Sequence, residues 1–315
     1  MKADPTPWLL GEDNPSVRYF TLTELLERPP TDPEVRQARA AIMASGPVRK
    51  ILDAQYPDGY WVKPGLGYSP RYRATVWQVI FLADLGAMRT AQVEKACQHV
   101  FEHTQRPDGA FIANKGKDGA IICLNGNLLR SLRWFGYGHD PRWQRSLDWL
   151  TARINGGEGF CCGYNGRLPC AWGAVKALSA FAALPDGECP PAVQEAIERG
   201  VEFLLSYDLV QADYPSGSGD ISPLWFRFGF PSTCVSSILE ALLVLTRLGC
   251  GQHPRLAGAI EFMLSKQDAE GRWPLEYSPA PAWVSFGQEG QPSRWVTLNA
   301  LQVLKSLALP PRFGL

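Results

Sequence analysis

The stretch "GFCCGYNGRLPCAW", Gly159 to Trp172, holds three of the chain's eight cysteines within fourteen residues. Thiols this dense serve one of three ends: a metal site, a redox pair, or small side chains filling a tight corner. The spacing of Cys161, Cys162 and Cys170 is not a zinc-finger pattern, and no C-x-x-C is present to mark a redox motif. Cys123 and Cys234 stand at the openings of two other apolar stretches, whereas Cys97, Cys189 and Cys250 are isolated. Two further groups have chemical potential. Arg71, Arg73, Arg227 and Arg294 are guanidinium groups suited to gripping a diphosphate. Tyr72, Trp77, Trp172, Trp225, Phe228 and Trp295 are aromatic faces that would line a cavity for an apolar chain or shield a cation. Asp220, in "SGSGDISP", is the remaining acid near these loops, though an aspartate in such a sequence also forms turns.

What must position these residues is a repeat. "ILDAQYPDGYW" (51–61), "VFEHTQRPDGAF" (100–111) and "MLSKQDAEGRWPL" (263–275) share an apolar helical stretch, Gln, a short gap, an acid before Gly and then an aromatic. A degenerate copy, "LTARINGGEGF" (150–160), falls between the second and third. Each reads as a helix end followed by a glycine-broken turn, with Trp61, Phe111 and Trp273 as staples. After each turn comes a largely apolar helix: 73–86, 125–136, 171–184, 236–249 and 294–309, with a sixth candidate at 14–28. Between them lie amphipathic stretches opened by proline, with Pro33, Pro141 and Pro254 at first-turn positions. The alternation predicts an all-α (α/α)6 toroid or barrel, with six inner and five to six outer helices. It is one domain over 1–315, with 1–13 as an N-terminal extension, and 156–169, 209–231 and 274–294 are loops at the barrel mouth.

Composition narrows the function classes. Thirty-one basic and thirty-one acidic residues cancel, which leaves no basic stripe for nucleic acid. No apolar run reaches the length of a membrane span, and the opening "MKADPTPWLLGEDNPS" lacks a secretory h-region. The expectation is a cytoplasmic protein, not transmembrane, with reduced thiols.

The repeated Q-x-x-D-G-x-W/F turns joining inner and outer helices resemble the αα-toroid of the terpenoid cyclase and protein prenyltransferase superfamily, squalene–hopene cyclases included. The resemblance runs from Val17 to Leu309. "NPSVRYFTL", "CLNGNLLRSLRWFGYGHDPR" and "SRWVTLNALQVLK" are similar to prenyltransferase/squalene-cyclase-like proteins of undefined chemistry. It implies a terpene-cyclase- or prenyltransferase-like enzyme acting on an isoprenoid or similar apolar substrate in the central cavity. The Asp-x-Asp-Asp acid of the cyclases is absent, so proton-initiated cyclisation is disfavoured; Asp220 is the leftover catalytic candidate. "LPCAWGAVKAL" resembles the cysteine-bearing helix start of the prenyltransferases, which puts Cys170 in the zinc-cysteine place; their Asp and His partners are missing. Other thiols would replace them, since a helix N-terminus favours thiolate. Cys123, Cys161, Cys162, Cys170 and Cys234 form the candidate zinc set, crowded packing being the alternative. An isoprenoid diphosphate and a partner subunit, as prenyltransferases need, follow as candidate partners. The competing reading is a non-catalytic toroid scaffold that binds lipid or protein.

Overall fold

The structure, a computed structural model, describes residues 1–185, 187, 189–310 and 312. Among the described residues the chain is helical with isolated β-bridges only. In order the helices are α1 (Thr6–Leu9), α2 (Pro15–Phe20), α3 (Pro33–Ala44), α4 (Gly46–Asp53), α5 (Thr75–Asp84), α6 (Ala91–His103) and α7 (Ile122–Trp134). They continue with α8 (Pro141–Asn155), α9 (Ala171–Ala182), α10 (Pro191–Leu205), α11 (Ile238–Arg247), α12 (Ala257–Ser265) and α13 (Arg294–Ser306). A π-helical turn, Thr21–Leu25, extends α2.

Local chemistry explains where these helices start. Asn14, Asp32, Thr90, Asp140, Ser237 and Ser293 each accept a hydrogen bond from a backbone N–H of the helix that follows. Proline adds a preset φ in the first turns of α2, α3 and α8. Helix α5 is buried without a break from Thr75 to Ala83, as a helix with partners on every side must be. In α8 the buried residues fall on one stripe, Trp143, Ser146, Leu147, Leu150, Thr151 and Ile154, so its other face meets solvent.

The tertiary contacts arrange these two kinds of helix into two rings. Helix α5 packs on α7, α7 on α9, α9 on α11, α11 on α13, and α13 on α2. Phe20 closes the circle: its ring edge lies 3.1 Å from where a Cβ on Gly86, just after α5, would stand, and its centroid is 5.6 Å from that of Trp134 and 6.3 Å from that of Trp295. One space on the ring axis is lined from all six inner segments, by Glu24, Asp84, Arg130, Lys176, Glu240 and Leu298. Outside, α3, α6, α8, α10 and α12 pack on α2, α5, α7, α9 and α11. The first thirteen residues, set apart by sequence as an extension, pack on this ring: Leu9 is fully buried and α1 lies against α13.

The repeat turns bolt the rings together. Trp61, Phe111 and Trp273 are each fully buried. Their backbone N–H groups donate to Thr75, Asn125 and Thr297 on the next inner helix, at 3.2, 2.8 and 2.9 Å. The indole N–H groups of Trp61 and Trp273 both donate to a carbonyl ten residues earlier, Ile51 and Met263, at 2.7 Å. The glycine of each turn is obligatory. Gly59, Gly109 and Gly271 have φ of 90°, 98° and 80°, and a Cβ would come within 2.5, 2.2 and 2.2 Å of the carbonyl oxygens of Lys95, Arg145 and Ala3.

Candidate functional site

The interior of the inner ring is divided. The segment 227–237 crosses it and is held on several sides: the Ser232 N–H donates to Asp84 at 2.8 Å, Asn127 donates to the Thr233 carbonyl at 2.8 Å, and Gly229 bridges to Tyr277. On one side lies an axial space of about 490 Å³ lined by charged groups, among them Arg130, Lys176, Glu240 and Arg247. On the other side, where α7, α9 and α11 begin, is a cavity of about 660 Å³. Ile121, Ala171, Ile221, Leu224 and Val235 give it apolar walls. Tyr68, Tyr72, Trp172, Tyr214, Trp225 and Tyr277 give it aromatic ones.

Four of the cysteines singled out by sequence open onto this cavity: Cys123, Cys162, Cys170 and Cys234. Backbone geometry decides how they meet. Residues 160–170 form a short hairpin in which Cys161 bridges Pro169; the Cys162 N–H donates to Leu168 O at 3.1 Å and the Cys170 N–H to Phe160 O at 3.0 Å. Alternation across paired extended segments places Cys162 and Cys170 on one face and Cys161 on the other. Both side chains on the shared face border the cavity, and each shifts the other's ionisation. Cys161 does not reach the cavity wall.

The pair is electrically unequal. Cys162 is pulled down to about 6, first by the hydrogen bond from Cys170, then, against the opposing effect of burial, by the N–H groups of Tyr164 and Asn165 at the hairpin tip and by the charge of Arg153. Cys170 moves the other way, raised by the same bond to Cys162 and by burial. The two shifts run in opposite directions and favour thiolate on Cys162 and thiol on Cys170. Burial raises Cys123 as well. Cys234 is a hydrogen-bond neighbour of Tyr72, whose phenol lies 2.9 Å from that of Tyr277.

This asymmetry sets an expected pH profile. Iodoacetamide alkylation of Cys162, mapped by peptide mass spectrometry, climbs through about pH 6 and levels off by about pH 7, where an ordinary thiol near 8.5 is still rising tenfold per pH unit. Cys170, burial, the Tyr164 and Asn165 N–H groups and Arg153 are the influences that set this profile. A rate that keeps climbing to pH 9 would show that Cys162 is an ordinary thiol.

The donor set can be tested against the expected zinc. Among the described residues, no three His, Cys, Asp or Glu side chains come together as a group able to hold a metal ion. Cys162, Cys170, Cys123 and Cys234 share the cavity wall without forming such a group, and Cys161 faces away. A three- or four-thiolate centre does not fit this arrangement. Cys234 also lies four residues ahead of α11 rather than in its first turn.

Several substrate-contact expectations are redistributed by packing. Arg71, Tyr72, Trp172 and Trp225 line the cavity, and Asp220 sits exposed at its rim. Arg73 does not line it: its guanidinium lies 4.2 Å over Trp283, whose indole N–H donates to the Arg73 carbonyl. Arg227 pairs with Glu289 at 3.6 Å, and Arg294 pairs with Asp13 and lies over Trp8. Trp77 is buried, its indole donating to Tyr68 O at 2.8 Å. Phe228 is buried under Lys266, which lies 4.5 Å from its ring. Trp295 stacks on Phe230 at 3.9 Å and faces the axial space instead. Sequence reasoning missed Tyr68 and Tyr277 on the wall, and the whole charged axial space. The latter had a signal: Lys176 and Glu240 are charges inside otherwise apolar helical stretches.

Comparison with known proteins adds the following. No family model and no curated protein matches the chain. Among solved structures it is similar to the type II terpene cyclase MstE from Scytonema in its apo form, at 15% identity over 85% of this chain and 96% of that one, with a TM-score of 0.31. It is similar to a variant of that cyclase in complex with geranylgeranyl dihydroxybenzoate, the substrate, at 14% identity over 86% and 97%, TM-score 0.31. A protein from Actinoplanes matches at 14% identity over 86% and 99%, TM-score 0.32. Likenesses of this size leave the site to be judged on this chain's own residues. No helix among the described residues is long and apolar enough to cross a membrane.

Proposed function

We propose that the protein takes an isoprenoid or similar apolar chain into the cavity at the start of α7, α9 and α11, with Arg71 as the contact for a polar head and Cys162 as the reactive group. The observation that carries this reading is the cavity wall itself. A space of about 660 Å³ walled largely by aromatic and aliphatic side chains is within the roughly 300–1,000 Å³ range of small-molecule sites; phenols and thiols stand among them, with Arg71, Asp220 and three serines at its polar side. Burial pushes the phenols of Tyr68 and Tyr72 up, so they stay neutral and present ring faces rather than charge. Arg71 is exposed at the edge, over the Tyr68 ring at 5.9 Å.

One observation favours a non-catalytic carrier as the second reading. The carboxylate among the cavity-lining residues is Asp220, which is exposed rather than desolvated, and an exposed acid does not protonate an alkene. Recovery of an isoprenoid unchanged after prolonged incubation supports the carrier; a new product that disappears in a Cys162→Ser variant supports the enzyme.

Ligand entry is tested with geranylgeraniol and intrinsic tryptophan fluorescence, since Trp172 and Trp225 lie on the wall. Binding is expected in the wild type, with affinity at least about tenfold weaker in Ile221→Trp, which fills the cavity from a loop and spares the helices. Equal binding by both proteins would place the ligand elsewhere, and no binding by either would remove the isoprenoid reading.

A further inference from the structure

The hairpin that carries Cys162 and Cys170 is tied down at its tip. Asn165 donates to Pro169 O and to Pro215 O, both at 3.0 Å, and accepts from the Gly217 N–H at 3.0 Å. Its far strand ends at Cys170, the residue that precedes the first turn of α9. The register and the brace together hold Cys162 and Cys170 on one face of a fixed hairpin, on neighbouring strands. Both are free thiols, and both border the open cavity. Among the described residues no third ligand joins them in a group able to hold a metal ion, whereas two cysteines on adjacent strands are what a disulfide requires.

We infer that Cys162 and Cys170 are a redox-active dithiol that exchanges with low-molecular-weight disulfides, Cys162 attacking and Cys170 resolving. In the first step the Cys162 thiolate forms a bond to one sulfur of the small disulfide, whose S–S bond breaks and releases one small thiolate. In the second, the Cys170 proton passes to that thiolate, and the Cys170 sulfur attacks Cys162 Sγ, expelling the second small thiolate, which takes a proton from water. The protein loses two electrons to form the Cys162–Cys170 disulfide, and the small disulfide is reduced to two thiols. The roles follow from the unequal pair: Cys162, at the hairpin tip, favours the anion, and Cys170, at the entry to α9, favours the proton.

Oxidation would also change the cavity. It removes the anion from the wall and ties the two strands of the hairpin by a covalent bond. The inference does not depend on which apolar ligand the cavity takes, so it survives or fails independently of the isoprenoid reading.

The test uses the reduced, full-length protein incubated with oxidised glutathione, quenched in acid and mapped by peptide mass spectrometry. The expected product is a disulfide joining Cys162 to Cys170. Cys170→Ser is expected to stop at glutathione on Cys162, and Cys162→Ser to leave Cys170 unmodified. A parallel measurement needs no variant: at pH 6 iodoacetamide should label Cys162 about tenfold faster than an ordinary exposed thiol, the larger thiolate fraction outweighing its lower intrinsic nucleophilicity. Disulfides joining other cysteines, glutathione appearing first on Cys170, or labelling of Cys162 no faster than that of buried Cys97 would overturn the assignment.

Discussion

Glu240→Leu destabilises the protein by about 3–5 kcal/mol, read as a lower denaturant midpoint at unchanged m-value. The reason lies on the ring axis. Lys176 is 2% exposed, and its ammonium sits 2.6 Å from Glu240 Oε1. Removing the carboxylate leaves a cation deep between helices with no counter-charge, and such a charge costs more than the pair's attraction returns. Lys176→Met is expected to cost less. The Glu240 side chain is 25% exposed and faces the axial space, where water can solvate the orphaned carboxylate. The double variant should recover a large part of the loss, because apolar replacement of a whole buried pair is often close to neutral. A double variant as unstable as the sum of the singles would show that the two residues do not act as a pair. The result matters beyond stability, since these side chains, with Asp84 and Arg130 at 2.5 Å, form the charged half of the ring's interior.

Trp273→Ala is expected to cost a similar amount, about 3–5 kcal/mol, and Trp61→Ala nearly as much. Each indole is fully buried, donates to a carbonyl of the preceding helix and anchors a turn whose N–H is fixed to the next inner helix. Truncation opens a cavity and leaves the Ile51 or Met263 carbonyl without its indole partner at once. Trp172→Ala is the control. Its side chain is only partly buried and borders an existing cavity, so its loss should change ligand binding more than the midpoint of unfolding. A Trp172→Ala variant as destabilised as Trp273→Ala would mean that the cavity wall is part of the core.

The cysteines show how far residue type reaches without tertiary structure. Along the chain Cys123, Cys170 and Cys234 stand at helix openings and Cys161 and Cys162 on the loop that feeds one, so all five look like candidates for one cluster. What separates them is the hairpin register at 160–170, which turns Cys162 and Cys170 toward one face and Cys161 toward the other. Register at that precision depends on single hydrogen bonds, Cys162 to Leu168 and Cys170 to Phe160, which no spacing in the sequence announces. The arginines divide in the same way. Arg73 and Arg294 are near the mouth in the chain, yet Trp283 and Asp13 occupy them.

The sequence by itself determined the all-helical class, the alternation of buried and surface helices, and the repeat turns with their stapling aromatics. Each of these is written in local signals: a period of 3.6, a capping side chain, a proline in a first turn, a glycine with φ near 90°. Neighbouring residues carry such signals, so they survive without knowledge of the rest of the chain. Only the tertiary structure decided that the ring's interior is split by 227–237, that a charged space and an aromatic cavity lie on its two sides, and that Cys162 meets Cys170. Tyr72 and Tyr277, whose phenols touch on the cavity wall, are 205 residues apart. Contacts of that range are set by how loops from different repeats pack over the same helix ends, and the period of a helix carries no record of what lies across the ring from it.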